Sequence, residues 1–334
     1  MNGIAGTAET APIRKMKSTL IQLGKLFSPK LADEIVGVDA HIREGRFQRS
    51  LSLLAGLSSV MAGIEVAYEH YKGSYGQRVM YTPVVLSGAL AGAGVWGFFS
   101  RWAARTVLRI VSAVTLLDGI AGFYFHVRGI QRKPGGWRLP VANIVMGPPV
   151  FAPLLFGVSA YLGLIASFLR REEELRGGTA ASPGWIASVH SGGKGNRWSS
   201  ELREGRFQKH LAMVTMLGTF FSGFEALYSH YKNNFRYKVQ WTPVIITPLL
   251  MGAAAKAVRD PKAARRWLPA MSALAIADGG IGFFYHVRGV LRRAGGSKLT
   301  FYNILYGPPL FAPLLFAACG AVGLLASLMR REGR

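Results

Sequence analysis

Apolar residues along the chain gather into eight long runs, at 51–70, 82–100, 106–126, 150–169, 211–230, 242–258, 266–286 and 310–329, with short and strongly basic intervals between them. Each run approaches the ~20 residues that carry a helix across a bilayer core. The pattern predicts an all-α integral membrane protein with eight transmembrane helices. Local signals mark several helix ends. Thr82-Pro83 and Thr242-Pro243 read as an N-cap followed by proline at the first helical position, where the missing N–H costs nothing. Gly147-Pro-Pro and Gly307-Pro-Pro stop any earlier helix and let a new one begin near Phe151 and its counterpart Phe311. Residues 134–149 read as a short interfacial stretch.

The last four runs repeat the first four. With a constant shift of 160 and no gaps, residues 43–172 and 203–332 share 57 identities in 130 positions, which establishes internal repetition. Arg43-Glu-Gly-Arg-Phe-Gln48 recurs at Arg203, His126-Val-Arg-Gly129 at His286, and Phe151-Ala-Pro-Leu-Leu-Phe156 at Phe311. Four crossings return the chain to its starting side, so the two units are expected to be tandem parallel four-helix bundles related by an axis along the membrane normal. The organisation that follows is an N-terminal segment 1–42, a first membrane repeat 43–172, a linker 173–202 and a second repeat 203–334. Met16, Leu20, Leu23 and Phe27 fall at helical spacing among Lys15, Lys17 and Lys25, the pattern of a basic amphipathic helix lying on a membrane. Gly177-Gly178, Pro183-Gly184 and Gly192-Gly193 mark the linker as flexible.

Composition agrees with a membrane bundle: half of the residues are hydrophobic, 17% are charged and 41 are glycine. A net charge of +23 raises the question of nucleic acid. Nucleic-acid binders cluster basic residues on a soluble face, whereas here the Lys and Arg lie between apolar runs, as expected for contact with anionic lipid headgroups. Nucleic acid is therefore not an expected partner. The single cysteine, Cys319, lies inside an apolar run and excludes a disulfide framework and a thiolate zinc site. The first forty residues lack a signal-peptide pattern, so the transmembrane segments are expected to drive insertion. Under the eight-helix topology, 27 Lys and Arg fall on the side holding both termini and the linker, against 13 opposite. The positive-inside tendency then places the termini in the cytoplasm, and a bacterial inner membrane is the expected location.

Few polar residues recur in both repeats. The first helix of each carries Glu65, Tyr68, His70 and Tyr71, matched by Glu225, Tyr228, His230 and Tyr231. The third carries Asp118 and His126, matched by Asp278 and His286. First and third helices run in the same direction, which gathers the four histidines at one face, the outer one. At a rise of 1.5 Å per residue, Glu65 lies ~7 Å deeper than His70, and Asp118 ~12 Å deeper than His126. A carboxylate at that depth is costly unless paired, so these four are expected to face the bundle interior and to bond Tyr or His. They serve either a proton path or ligand site, or structural hydrogen bonds between the first and third helices.

For the histidines, ligation of haem b is one reading, with Arg128 and Arg288 available to the propionates. Complementing the helix dipole, protonation switching and hydrogen bonding to a quinone are the others. No bare metal site is expected, because Glu65 and His70 are five residues apart and miss the Glu-x-x-His spacing of di-iron bundles. Gly88 with Gly92, and Gly119 with Gly122, read as close-packing positions. The loops after His126 and His286 carry Arg128, Arg132, Lys133 and Arg138, and Arg288, Arg292, Arg293 and Lys298, a surface suited to anionic headgroups or a negatively charged protein subunit.

Three functional classes follow. The first is a membrane-embedded subunit of an envelope redox complex, anchoring an extramembrane partner and holding haem or quinone near the outer face. The second is a passive anchor or assembly scaffold without a cofactor. The third is a small-solute or ion transporter with its site between the repeats.

Overall fold

The computed structural model describes residues 37–174 and 197–332. The amphipathic segment around Met16–Phe27 and most of the linker lie outside these residues. The described chain is helical, and its only bridge outside helices joins Arg206 to Arg330. In the first repeat the helices are α1 (Gln48–Lys72), α2 (Thr82–Phe99), α3 (Val107–Gln131), a short α4 (Pro140–Val145) and α5 (Ala152–Ala166), with a single helical turn (Arg101–Arg105) between α2 and α3. A short α6 (Arg197–Arg203) leads into the second repeat. There the order recurs as α7 (Gln208–Lys232), α8 (Thr242–Arg259), α9 (Pro261–Leu291), α10 (Thr300–Leu305) and α11 (Ala312–Leu328).

Six of these elements are long and apolar enough to cross a membrane: α1, α2 and α3 with their short leading turns, and α7, α8 and α9. The chain is thus an all-α membrane protein. The fourth helices of the repeats, α5 and α11, are apolar but have only 15 and 17 residues. The long helices outrun the apolar stretches that announce them. α1 continues to Lys72 because His70 and Lys72 in its last turn suit the negative end of the helix dipole.

The short helices occupy the interior. No residue from 151 to 170, or from 310 to 329, is exposed. The outward surface is supplied by α2 and α3, where Val85, Phe99 and Leu117 are each about two-thirds uncovered. Apolar exposure on that scale is what a lipid-facing wall presents. Small residues let the interior helices approach closely. A methyl on Gly119 would meet the Pro153 carbonyl, and one on Gly122 would meet the Pro153 ring. Gly88 and Gly92 differ from expectation, since nothing lies within 4 Å of a methyl placed on either. The close glycine of α2 is Gly94, set against Gly56 and the Ser52 carbonyl of α1. Spacing defines a stripe of small residues without saying which way that stripe faces.

Helix α5 ends where α1 begins. The Gln48 amide donates to the Arg170 carbonyl (3.1 Å), and the Arg170 amide donates to the Gly45 carbonyl (2.9 Å). Gln208, Arg330 and Gly205 repeat the arrangement at 3.2 and 2.8 Å. Between these two clasps the repeats touch through glycine. Gly45 (φ +69°) and Gly205 (φ +70°) lie against each other, and a methyl on Gly45 would stand 2.8 Å from both the Arg203 carbonyl and the Gly205 nitrogen.

Candidate functional site at the histidine face

The turn after α1 fixes the first histidine. Ser74 and Tyr75 take left-handed backbone angles (φ 59° and 44°), as do Asn234 and Phe235 (52° and 46°). Such angles cost non-glycine residues of order 1–3 kcal/mol and persist only where neighbours enforce them. Here the Tyr75 amide donates to the His70 carbonyl (3.0 Å) and its hydroxyl to the Ala67 carbonyl (3.0 Å). Its ring stacks on Tyr81 at 4.2 Å. The turn so held brings the Met80 carbonyl 2.7 Å from His70 Nδ1. On the third helices, His126 Nδ1 meets the Pro149 carbonyl and His286 Nδ1 meets the Pro309 carbonyl.

A carbonyl oxygen can only accept, so Nδ1 carries the proton in all three rings. In a neutral imidazole that leaves Nε2 as the basic nitrogen. An Nδ1–H held by a backbone carbonyl is also the orientation that ligating histidines use. His70 and His126 lie within electrostatic range of each other, as do His230 and His286. His230 stands beside Phe235, ring centroids 6.2 Å apart. Arg128 follows His126 by two residues, and its guanidinium donates to the Tyr124 hydroxyl (3.3 Å). Arg288 occupies the matching last turn of α9. Among the described residues, no three His, Cys, Asp or Glu side chains gather to hold a metal ion.

The carboxylates do something that neither repeat does alone. Glu65 Oε1 accepts from the Tyr68 hydroxyl, while Oε2 accepts from the Phe311 amide of the other repeat (2.9 Å). Glu225 mirrors this, accepting from Tyr228 and from the Phe151 amide (2.6 Å). Phe151 and Phe311 are the N-caps of α5 and α11. Each glutamate thus places negative charge at the positive end of the other repeat's interior helix and satisfies an amide that would otherwise be orphaned. Hydrogen bonds from first to third helix, the structural alternative, are not what these glutamates make. Asp118 does tie its helix to another, accepting from Thr82 at the start of α2 (2.6 Å), and Asp278 lies beside Thr242 at the matching place. Thr82 is therefore inside the helix, preceded by a 3₁₀ turn (Arg78–Tyr81), and is not its N-cap.

The crossed contacts are not identical. Phe151 is packed by Phe123, Phe220, Phe221 and Phe224, with centroids 4.8–5.8 Å away. Phe311 stacks on Phe283 (6.4 Å), and the positions equivalent to the three phenylalanines of α7 hold Val60, Met61 and Ile64. Asn143 and Asn303, polar residues that recur ahead of the two Gly-Pro-Pro turns, are buried and donate to the carbonyls of Pro134 and Gly136 (3.1 and 2.8 Å) and of Ala294 and Gly296 (3.3 and 3.1 Å), closing the turns after α3 and α9. One feature escapes sequence reasoning. The carbonyls that orient the histidines belong to Met80, Pro149 and Pro309, and backbone partners leave no residue-type signature. Comparison with protein-family models, with curated proteins and with solved structures gave no match.

Proposed function

We propose that this chain is the membrane-embedded subunit of an envelope redox complex, holding haem b or a quinone headgroup at the histidine pairs and anchoring an extramembrane partner. In this reading eight segments cross, as two parallel four-helix bundles. The junction of each fourth helix with the start of its own first helix supports the even count. Both termini then face the cytoplasm of a bacterial inner membrane, with the histidines near the outer surface. The observation that carries the proposal is the set of Nδ1 bonds from His70, His126 and His286 to backbone carbonyls, which leave Nε2 available. That nitrogen suits an axial ligand to haem iron or an acceptor for a quinol hydroxyl. Exposed Trp137 and Phe301, with Arg132 and Arg292, give the same face apolar and basic character for headgroups and for a negatively charged subunit.

A visible spectrum of the purified protein tests the idea. The expected result is a Soret band that sharpens on reduction and is lost in His126→Ala. A colourless protein that retains extractable quinone, lost in the same variant, would select the quinone form. A folded protein holding neither would overturn the redox assignment. A cofactor-free scaffold is the second reading, and the engagement of both glutamates at helix N-termini favours it.

A further inference from the structure

The repeats both carry the histidines, and they differ in charge at the face that carries the fourth-helix ends. Arg101, Arg105 and Arg109 recur every four residues from the turn after α2 into α3, where the second repeat has Pro261, Arg265 and Pro269. Glu174 lies 2.6 Å from the Arg101 guanidinium and 3.9 Å from that of Arg105. Arg109 is held flat against the end of α5. It donates to the Ser167 hydroxyl (3.1 Å) and carbonyl (2.8 Å), with its guanidinium 4.0 Å from the centre of the Phe168 ring. Arg170 donates to the Arg203 carbonyl (2.8 Å) and the Glu44 carbonyl (2.7 Å), which draws the second repeat's leading helix into the group. Arg105, Arg109 and Arg170 all lie within electrostatic range of Arg203.

Three nearby acids also have other partners. Glu172 accepts from the amides of Arg49 and Ser50 (3.1 and 2.9 Å), Glu44 pairs with Arg46 (2.8 Å), and Glu173 pairs with Arg49 (2.6 Å). Arg101, Arg105 and Arg170 thus gather around Glu174, and Arg109 and Arg203 lie within electrostatic range of Arg105. Like charges beside a low-dielectric slab repel strongly, and a multivalent anion relieves that repulsion. The planar fork of arginine matches phosphate oxygens in particular. Trp96, Phe99 and Trp102 are exposed at the same end of α2 and its following turn, an aromatic rim of the kind that marks headgroup depth.

We propose that this arginine cluster, between the end of α5, the turn after α2 and the start of the second repeat, binds the phosphate of an anionic phospholipid. Specificity for one half follows from the prolines at 261 and 269, which remove two of the guanidiniums from the equivalent place.

Thermal melting of the full chain in detergent micelles doped with cardiolipin, with phosphatidylcholine, or with inorganic phosphate alone tests the proposal. Cardiolipin is expected to raise the melting temperature and phosphatidylcholine to leave it unchanged. Arg101→Gln with Arg105→Gln should raise the half-saturating cardiolipin concentration roughly 25-fold, about five-fold per arginine. The same charge change in the second repeat, Lys262→Gln with Arg265→Gln, should leave it near the unmodified value. Should the first pair fail to fold, Arg101→Gln alone changes the partly exposed edge of the cluster and is expected to show the single five-fold step. Equal losses in the two double variants, or no distinction between cardiolipin and phosphatidylcholine, would overturn the site. A shift reproduced by inorganic phosphate alone would overturn its assignment to lipid.

Discussion

Gly205 shows how much one residue can decide. Its left-handed backbone suits glycine, and the place of a side chain is taken by the Arg43 carbonyl of the other repeat. Gly205→Ala should cost at least ~2 kcal/mol, because left-handed strain and overlap with backbone add. Melting of the purified variant would show this as a clear drop. Gly88→Ala, with open space around it, should be neutral or stabilising by ~0.5–1 kcal/mol. The sequence marks Arg-Glu-Gly-Arg-Phe-Gln as important through its recurrence. It does not say that the two copies meet each other, since identity between repeats carries no information about contact between them. The histidines are legible in the same limited way: their recurrence is visible, while the carbonyls that orient them are not.

Single helices depend on partners from the other half. α5 begins inside the protein with a bonded N-cap amide, and the bond is supplied by Glu225 of α7. Glu225→Ala leaves that amide unsatisfied and should destabilise by ~1–3 kcal/mol. Glu225→Gln keeps an oxygen acceptor and should lose only part of that, the share owed to charge at a helix N-terminus. Chemical denaturation or melting of both variants would check the order, and an Ala variant no less stable than the Gln variant would refute it. Existence and sequence of helices were readable because apolar runs are long and their separators are Pro, Gly and Arg. The length of the fourth helices was not. Phe151 and Val150 extend the apolar run as well as any helical residue does, yet the chain there is still descending from the Gly-Pro-Pro turn. Burial is equally invisible to hydropathy, because a leucine facing lipid and one facing protein contribute alike.

In the whole molecule the two repeats are joined by the crossed glutamate bonds, the glycine contact and the Arg170 bond to the Arg203 carbonyl. These contacts are expected to hold the halves together without the covalent connection once folding is complete. Cleavage at a protease site inserted within 175–196 should leave the halves co-purifying through a tag on one of them. The pair Glu65→Ala with Glu225→Ala should release the untagged half more readily under mild denaturant. Separation of the cleaved parent protein without denaturant would contradict the interlock. The sequence shows two like units through their recurrence. It could not predict that each completes the other, because that depends on which amides arrive beside which carboxylates.

The crossed bonds also set a timetable for synthesis. Phe151 leaves the ribosome 74 residues before the glutamate that receives its amide, and Glu65 precedes Phe311 by 246 residues. At ~5–20 residues per second, the first interior helix waits several seconds for its partner, and the first glutamate waits on the order of ten to fifty. During that interval the nascent half sits in the bilayer with an unmatched amide and an unmatched acid. Truncation or stalled translation within the second repeat would leave those groups permanently without partners, a ready mark for membrane proteases that clear incomplete chains.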